Sequence, residues 1–166
     1  MEDKIKEKLK ELVKPKRYKH SMFVSEEARK LAKIYNEPVE KAYLTGLAHD
    51  IAKSFDNKEN EKLIHAEVGA VVAKEYFDFD DEMCNAIKYH TIGNDIMTNF
   101  EKIIFIADKI GREELDEEIS KVKDMAYKDL DKAIMRFLEK QQKDFLIKGK
   151  KLHPITIKLF NNLKKG

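Results

Sequence analysis

Apolar residues recur along this chain at every third or fourth position, the spacing that gathers them on one face of an α-helix. Ile5, Leu9 and Leu12 set out a short first helix, and Pro15 ends it because proline cannot continue the backbone hydrogen-bond ladder. From Lys16 to Asn36 the face His20, Val24, Ala28, Leu31 and Tyr35 predicts a second helix, and Pro38 opens a third. Within that third helix Ala42 to Ala48 is almost continuously apolar, so burial on most sides is expected. Ser54 to Asn60 reads as a short polar connection. The spacing then predicts helices over about His65–Phe77, Asp81–Thr91, Asn99–Arg112, Glu114–Met125 and Lys128–Lys148. Gly149 is a natural stop, and a last helix is expected from about Pro154 to Leu163. No alternation of period two persists, and no segment repeats. The expected fold is all-α, a compact bundle of about eight to ten helices forming a single domain over residues 1–166.

Composition agrees. Only 6 glycines and 3 prolines punctuate 166 residues, as long helices require. The charged fraction is high, 39%, but 33 basic residues face 31 acidic ones and 42% of the chain is hydrophobic, which is not the signature of disorder. Cys84 is the single cysteine, so neither an intramolecular disulfide nor a thiolate metal cluster can form. Met1 to Lys14 is too densely charged for a signal peptide, and the longest apolar run, Ile103 to Ala107, falls far short of the ~20 residues of a membrane span. A cytoplasmic protein with no membrane partner is expected. No acid follows Asp144, whereas Lys148, Lys150, Lys151, Lys158, Lys164 and Lys165 do; a second basic cluster, Lys14, Lys16, Arg17 and Lys19, lies just ahead of His20. Such clusters read first as solvated faces and second as sites for an anionic ligand. Nucleic acid is not expected, because aromatic interleaving among those lysines is thin.

Of the 5 histidines, His20, His49, His65 and His90 stand where an apolar side chain would be expected. His20 begins the Val24, Ala28, Leu31 face; His49 closes the Ala42 to Ala48 run and is followed by Asp50; His65 shares a face with Val68, Gly69, Val72 and Tyr76; His90 extends Met83, Ala86 and Ile87. Asp108 interrupts the most apolar helix of the chain. A single histidine of this kind is ordinarily a satisfied core residue. Four of them with two core aspartates are not, because buried carboxylates cost several kcal/mol unless paired or bound to a metal. A shared divalent-metal site accounts for all six. Nitrogen and oxygen donors without thiolate admit Fe, Mn, Co, Ni or Zn and exclude a pure calcium cage. Six ligands exceed what one catalytic ion with open positions uses, so two ions ~3.5–4 Å apart, bridged by a carboxylate, fit better; Asp50 is the obvious bridge. Arg17 precedes His20 by three residues, Lys53 follows His49 by four and Arg112 follows Asp108 by four. On helices those spacings stack each cation over a ligand, which suggests an oligophosphate substrate. Cys84, on a helix without an obvious base, reads as a packed thiol.

The order His20, His49-Asp50, Asp108 resembles the HD superfamily of metal-dependent phosphohydrolases, most specifically through Gly46-Leu47-Ala48-His49-Asp50-Ile51-Ala52-Lys53. Arg17-Tyr18-Lys19-His20, His65-Ala66-Glu67-Val68-Gly69-Ala70, Ala86-Ile87-Lys88-Tyr89-His90-Thr91-Ile92-Gly93 and Glu101-Lys102-Ile103-Ile104-Phe105-Ile106-Ala107-Asp108 are similar to the bacterial symmetrical bis(5′-nucleosyl)-tetraphosphatases. So are Asp129-Leu130 and Phe145-Leu146-Ile147-Lys148-Gly149-Lys150-Lys151-Leu152-His153-Pro154, and the resemblance runs from about Lys16 to Phe160.

That resemblance implies a helical fold, a di-iron centre, and cleavage of diadenosine tetraphosphate into two ADP by a hydroxide that bridges the metals. By the same resemblance His20, His49, Asp50 and Asp108 would hold one ion, and Asp50, His65 and His90 the other. Asp50, Arg17, Lys53 and Arg112 would carry the catalysis, with Arg17, Lys53, Thr91 and Arg112 facing the phosphates. Ile51 and Ala52, beside the His-Asp pair, are counted with the substrate contacts, and Lys151, Leu152, His153, Pro154, Ile155 and Thr156 would lie near a nucleoside. His153, without an apolar face of its own, reads either as an exposed loop residue or as a base-stacking one. Two departures bear on substrate choice: a shorter connection between Lys53 and His65, and a tighter Lys109-Ile110-Gly111-Arg112 turn after Asp108 in place of a Pro-containing one. A phosphohydrolase for another nucleotide or a cyclic dinucleotide, and a nucleotide sensor without catalysis, stay open at this point, as does a homodimer.

Overall fold

The apolar spacing is realised as nine α-helices among residues 1–56 and 64–166, which the computed structural model describes. They are α1 (Glu2–Leu12), α2 (Pro15–Ile34), α3 (Val39–Ala48), α4 (Ile64–Phe77), α5 (Asp81–Lys88), α6 (Asn99–Ile110), α7 (Glu117–Ala126), α8 (Leu130–Ile147) and α9 (Pro154–Lys165), with a 3₁₀ turn at Lys53–Phe55 and no strand among the described residues. Local chemistry marks the boundaries. Pro15 and Pro154 each stand in the first turn of a helix, where a missing N–H costs nothing. Asp80, Asp116 and Asp129 accept from the backbone N–H groups that begin α5, α7 and α8, and Thr98 with Glu101 forms a reciprocal capping box at α6, satisfying donors that have no partner inside the helix. α7 and α8 consequently start at those caps, a few residues later than the apolar spacing alone suggested.

α6 is the central element. It packs against α2, α3, α5, α7 and α8, and Phe100, Ile103, Ile104, Ile106 and Ile110 have no accessible surface; each such side chain contributes about 1.5–3 kcal/mol by leaving water. α3 lies along α2, and Gly46 permits the approach: a Cβ there would stand 3.1 Å from Ser25 Cα and 3.2 Å from the Val24 carbonyl oxygen. The expected burial of Ala42 to Ala48 holds for every residue except Leu44, which is half-buried.

Three helix ends shape the site. α3 stops at Ala48, so His49 is its C-cap and Asp50 lies in the turn that follows. α5 was expected to reach Thr91 but stops at Lys88, placing His90 beyond its C-cap Tyr89. α6 was expected to reach Arg112 but stops at Ile110, with Gly111 as its C-cap. The short connection before His65 falls mostly on residues 57–63, outside the described residues.

Candidate metal centre

Four histidines from four different segments turn their rings towards Asp50 and Asp108. Each ring is aimed by a hydrogen bond from Nδ1. His49 Nδ1 donates to the Gly46 carbonyl at 2.6 Å, His90 Nδ1 to the Ile87 carbonyl at 2.6 Å, and His20 Nδ1 to the Gly111 carbonyl at 3.1 Å. His65 Nδ1 donates to Asp56 Oδ2 at 2.6 Å, while Asp56 Oδ1 accepts from the His65 main-chain N–H at 2.8 Å. Carbonyl and carboxylate oxygens only accept, so Nδ1 carries the proton in every ring and each neutral ring presents a lone pair at Nε2.

Those four Nε2 atoms converge on carboxylate oxygens. Asp108 Oδ1 lies 3.0 Å from His20 Nε2 and 3.1 Å from His49 Nε2. Asp50 divides its two oxygens: Oδ2 stands 3.3 Å from His49 Nε2 and 3.8 Å from His20 Nε2, and Oδ1 stands 3.3 Å from both His65 Nε2 and His90 Nε2. The Nε2 atoms of His65 and His90 approach to 3.1 Å. Two lone pairs at that distance repel, and lone pairs facing carboxylates repel as well, unless a cation lies among them. Two donor groups result, His20, His49, Asp50 and Asp108 in one and Asp50, His65 and His90 in the other, each with its ligating atoms within 4.8 Å of one another. The donor set fits divalent cations. Helix ends add to this: His49, His90 and Asp108 all sit at or just beyond the C-terminal turns of α3, α5 and α6, where the helix dipole carries partial negative charge.

Protonation answers the same electrostatic demand where no metal does. Burial pulls the His49 imidazole down, but the attraction of Asp50 and Asp108 outweighs it and raises the group to about 10. At His90 burial prevails and lowers the imidazole. Burial would raise both carboxyls; the charge and hydrogen bonds of His49, helped by His65 and His90, hold Asp50 well below the usual carboxylate range, and Lys109 foremost, then His20 and His49, do the same for Asp108. Both aspartates are therefore favoured in their ionised form.

The surrounding residues divide more unevenly than spacing suggested. Arg17 donates from Nη1 to Asp50 Oδ2 at 2.9 Å, so it reaches the shared carboxylate rather than stacking on His20. Lys53 stands in the 3₁₀ turn, not on α3, and pairs with Asp56 Oδ2 at 3.3 Å. Arg112 follows the end of α6 and is exposed; the helix it needed in order to stack over Asp108 has already stopped. Thr91 sets its hydroxyl 3.3 Å from His65 Nε2 and 3.4 Å from His90 Nε2. Ile51 and Ala52 have no accessible surface and offer a substrate no side-chain contact.

In the C-terminal stretch, Lys151 and Pro154 are exposed, Leu152 is buried and Ile155 half-buried. His153 is the N-cap of α9, its Nδ1 accepting from the Ile155 N–H at 3.1 Å, and Thr156 is buried with its hydroxyl donating to the Ile92 carbonyl at 2.7 Å. Cys84 is half-buried and burial pushes its thiol up, as expected of a packed residue.

Two side chains that the spacing did not single out touch the centre. Asp56 orients His65, and Lys109 donates to Asp108 Oδ2 at 2.9 Å and to the His90 carbonyl at 3.0 Å. A neighbour at i+1 lies on another face of a helix, so only the reach of a lysine stem brings Lys109 back to Asp108.

The sequence and the fold also match known proteins. The HD domain family matches residues 17–113. The symmetrical bis(5′-nucleosyl)-tetraphosphatase of Halalkalibacterium halodurans is 34% identical, over 92% of this chain and 94% of its own length, and the protein of the same name from Staphylococcus aureus is 35% identical over 89% of each. A crystal structure from Clostridium acetobutylicum, described as that of a predicted HD superfamily hydrolase involved in NAD metabolism, superposes with a TM-score of 0.93 at 34% identity, covering 99% of this chain and 97% of that one. Carboxylate-bridged histidine clusters on helix ends, a family match across the segment that carries them and full-length relatives all agree: the chain belongs to the HD-domain family, among the symmetrical bis(5′-nucleosyl)-tetraphosphatases.

Proposed function

We propose that this chain hydrolyses dinucleoside polyphosphates, cutting diadenosine tetraphosphate symmetrically into two ADP. The observation that carries the reading is the division of Asp50 between two histidine groups, one oxygen to each, in a chain whose full-length relatives bear that activity in their names. We assign one divalent ion to each donor group, with Asp50 common to both. Iron is the first candidate, and the same nitrogen and oxygen donors admit Mn, Co, Ni and Zn. Ions bound there supply Lewis-acid polarisation of phosphoryl oxygens and lower the pKa of water.

The protein's own groups supply charge and position. Asp50, Asp56 and Asp108 are matched around the centre by Arg17, Lys53 and Lys109, so the charge that metal ions bring is left for a polyanion to balance. Arg17 and Lys53 are partly exposed at the rim, with side chains 35% and 27% accessible. Both can exchange a carboxylate for a phosphate and neutralise the charge that develops on the departing ADP. The Thr91 hydroxyl, between His65 and His90, is placed to orient a water or a phosphate oxygen. Arg112 and Lys151, both exposed, are assigned to the outer phosphates and the nucleoside side.

The test is hydrolysis of diadenosine tetraphosphate by anaerobically purified, iron-loaded protein, with products resolved by ion-exchange chromatography. ADP as the sole product is the expected result. AMP with ATP, or intact substrate beside confirmed bound metal, would overturn the symmetrical cut and turn attention to other nucleotides or to binding without turnover.

A further inference from the structure

Lys109 is one of the few buried charged side chains among the described residues, with 9% of its surface accessible. Its ammonium spans the two donor groups, donating to Asp108 Oδ2 on one side and to the main-chain carbonyl of His90 on the other. The ring centroids of Phe105 and Phe137 lie 4.5 and 5.6 Å from it. Burying an ammonium is expensive, and an ion pair in such a place seldom adds net stability, so packing alone does not account for it. The division of the Asp108 carboxylate does. Oδ1 faces His20 and His49, whereas Oδ2 is taken by Lys109.

We propose that Lys109 is a positioning residue that makes Asp108 a one-oxygen ligand: held on Oδ2, the carboxylate offers a cation between His20 and His49 only Oδ1. A coordination position that chelation would fill then stays open to solvent or substrate. The second donation, to His90, ties the end of α6 to the turn carrying the other donor group. This inference rests on a divalent ion binding between His20, His49 and Asp108, and it is indifferent to which phosphate compound is cut.

The experiment compares manganese-loaded wild-type protein with Lys109→Met, whose unbranched thioether suits the neighbouring aromatic rings. Counting exchangeable waters by proton relaxation is expected to show one fewer water per protein in Lys109→Met. kcat on diadenosine tetraphosphate is expected to fall at least ~10-fold while KM stays within about twofold, since the lost position serves the reaction rather than binding. Lys109→Arg, which keeps a charged pair of donors, is expected to restore the water count. An unchanged water count in folded, manganese-saturated Lys109→Met overturns the assignment. If Lys109→Met does not fold, a crystal structure of manganese-loaded wild-type protein decides: Asp108 bound through Oδ1 with Lys109 on Oδ2 is expected, and chelation through both oxygens overturns it. Normal manganese binding without hydrolysis of diadenosine tetraphosphate would defeat the substrate reading alone, because the water count does not depend on turnover.

Discussion

At the scale of single residues, the site works by fixing the direction in which each ligating ring points. His65 illustrates it: Asp56 accepts from both its ring and its main-chain N–H, which fixes tautomer and ring plane together. Asp56→Asn keeps the size and one acceptor but removes the charge. It is expected to weaken metal binding about 10–100-fold with the fold intact, and calorimetric titration with manganese measures the loss. An unchanged isotherm would show that the His65 ring is held by its packing instead. Asp56 was invisible in the sequence because a lone aspartate in a polar connection looks like any other; only the chain path that returns it to His65 gives it meaning. Lys109 escaped for the opposite reason, lying one residue from a singled-out aspartate but on the wrong helical face by spacing.

At the scale of elements, the helices themselves were legible. Pro15, Pro38, Gly149 and Pro154 punctuate them, and the apolar face of each is long enough to read. The six histidine and aspartate candidates were legible too, since each breaks an apolar pattern. The helix ends were not. Periodicity says where a face continues, not where its last hydrogen bond is made, so His90 and Arg112 were read as helical although α5 and α6 stop at Lys88 and Ile110. The α6 ending depends on Gly111, where a Cβ would lie 2.7 Å from the Ala107 carbonyl oxygen and 2.8 Å from Val24 Cα. Both obstacles are backbone, and the Gly111 carbonyl is what His20 donates to. Gly111→Ala is expected to cost about 1–3 kcal/mol and to impair binding on the His20 side. Thermal melts check the first effect and metal content the second; a variant as stable as wild type would show that α2 and α6 can part at no cost.

At the scale of the whole molecule, the centre couples folding to pH. In metal-free protein His49 titrates at about 10 against its ordinary 6.5. A raised imidazole stabilises the fold fully below the unfolded value, and the contribution is lost as pH climbs through the folded one. Metal binding runs the other way, because the ion displaces that proton. The melting temperature of chelator-treated protein is therefore expected to fall between pH 7 and 10, and the metal-loaded protein is expected to lose less over the same range. A chelated protein that gains stability over that interval would contradict the assignment of His49 as the proton acceptor. The C-terminal helix contributes at this scale as well: Thr156 holds the Ile92 carbonyl and Asn162 the Asp95 carbonyl, so α9 clasps the segment that presents His90 and Thr91.

The donation from His49 to Gly46 and from His90 to Ile87 is the same local device used twice, a ring bonded to the carbonyl three residues behind it at a helix end. Neither bond involves the occupant of the centre. Both belong to helices that form for reasons of their own apolar faces, so the socket keeps its shape between tenants. An ion binding there would meet these two rings already in place, so exchanging one divalent metal for another would require no movement of either.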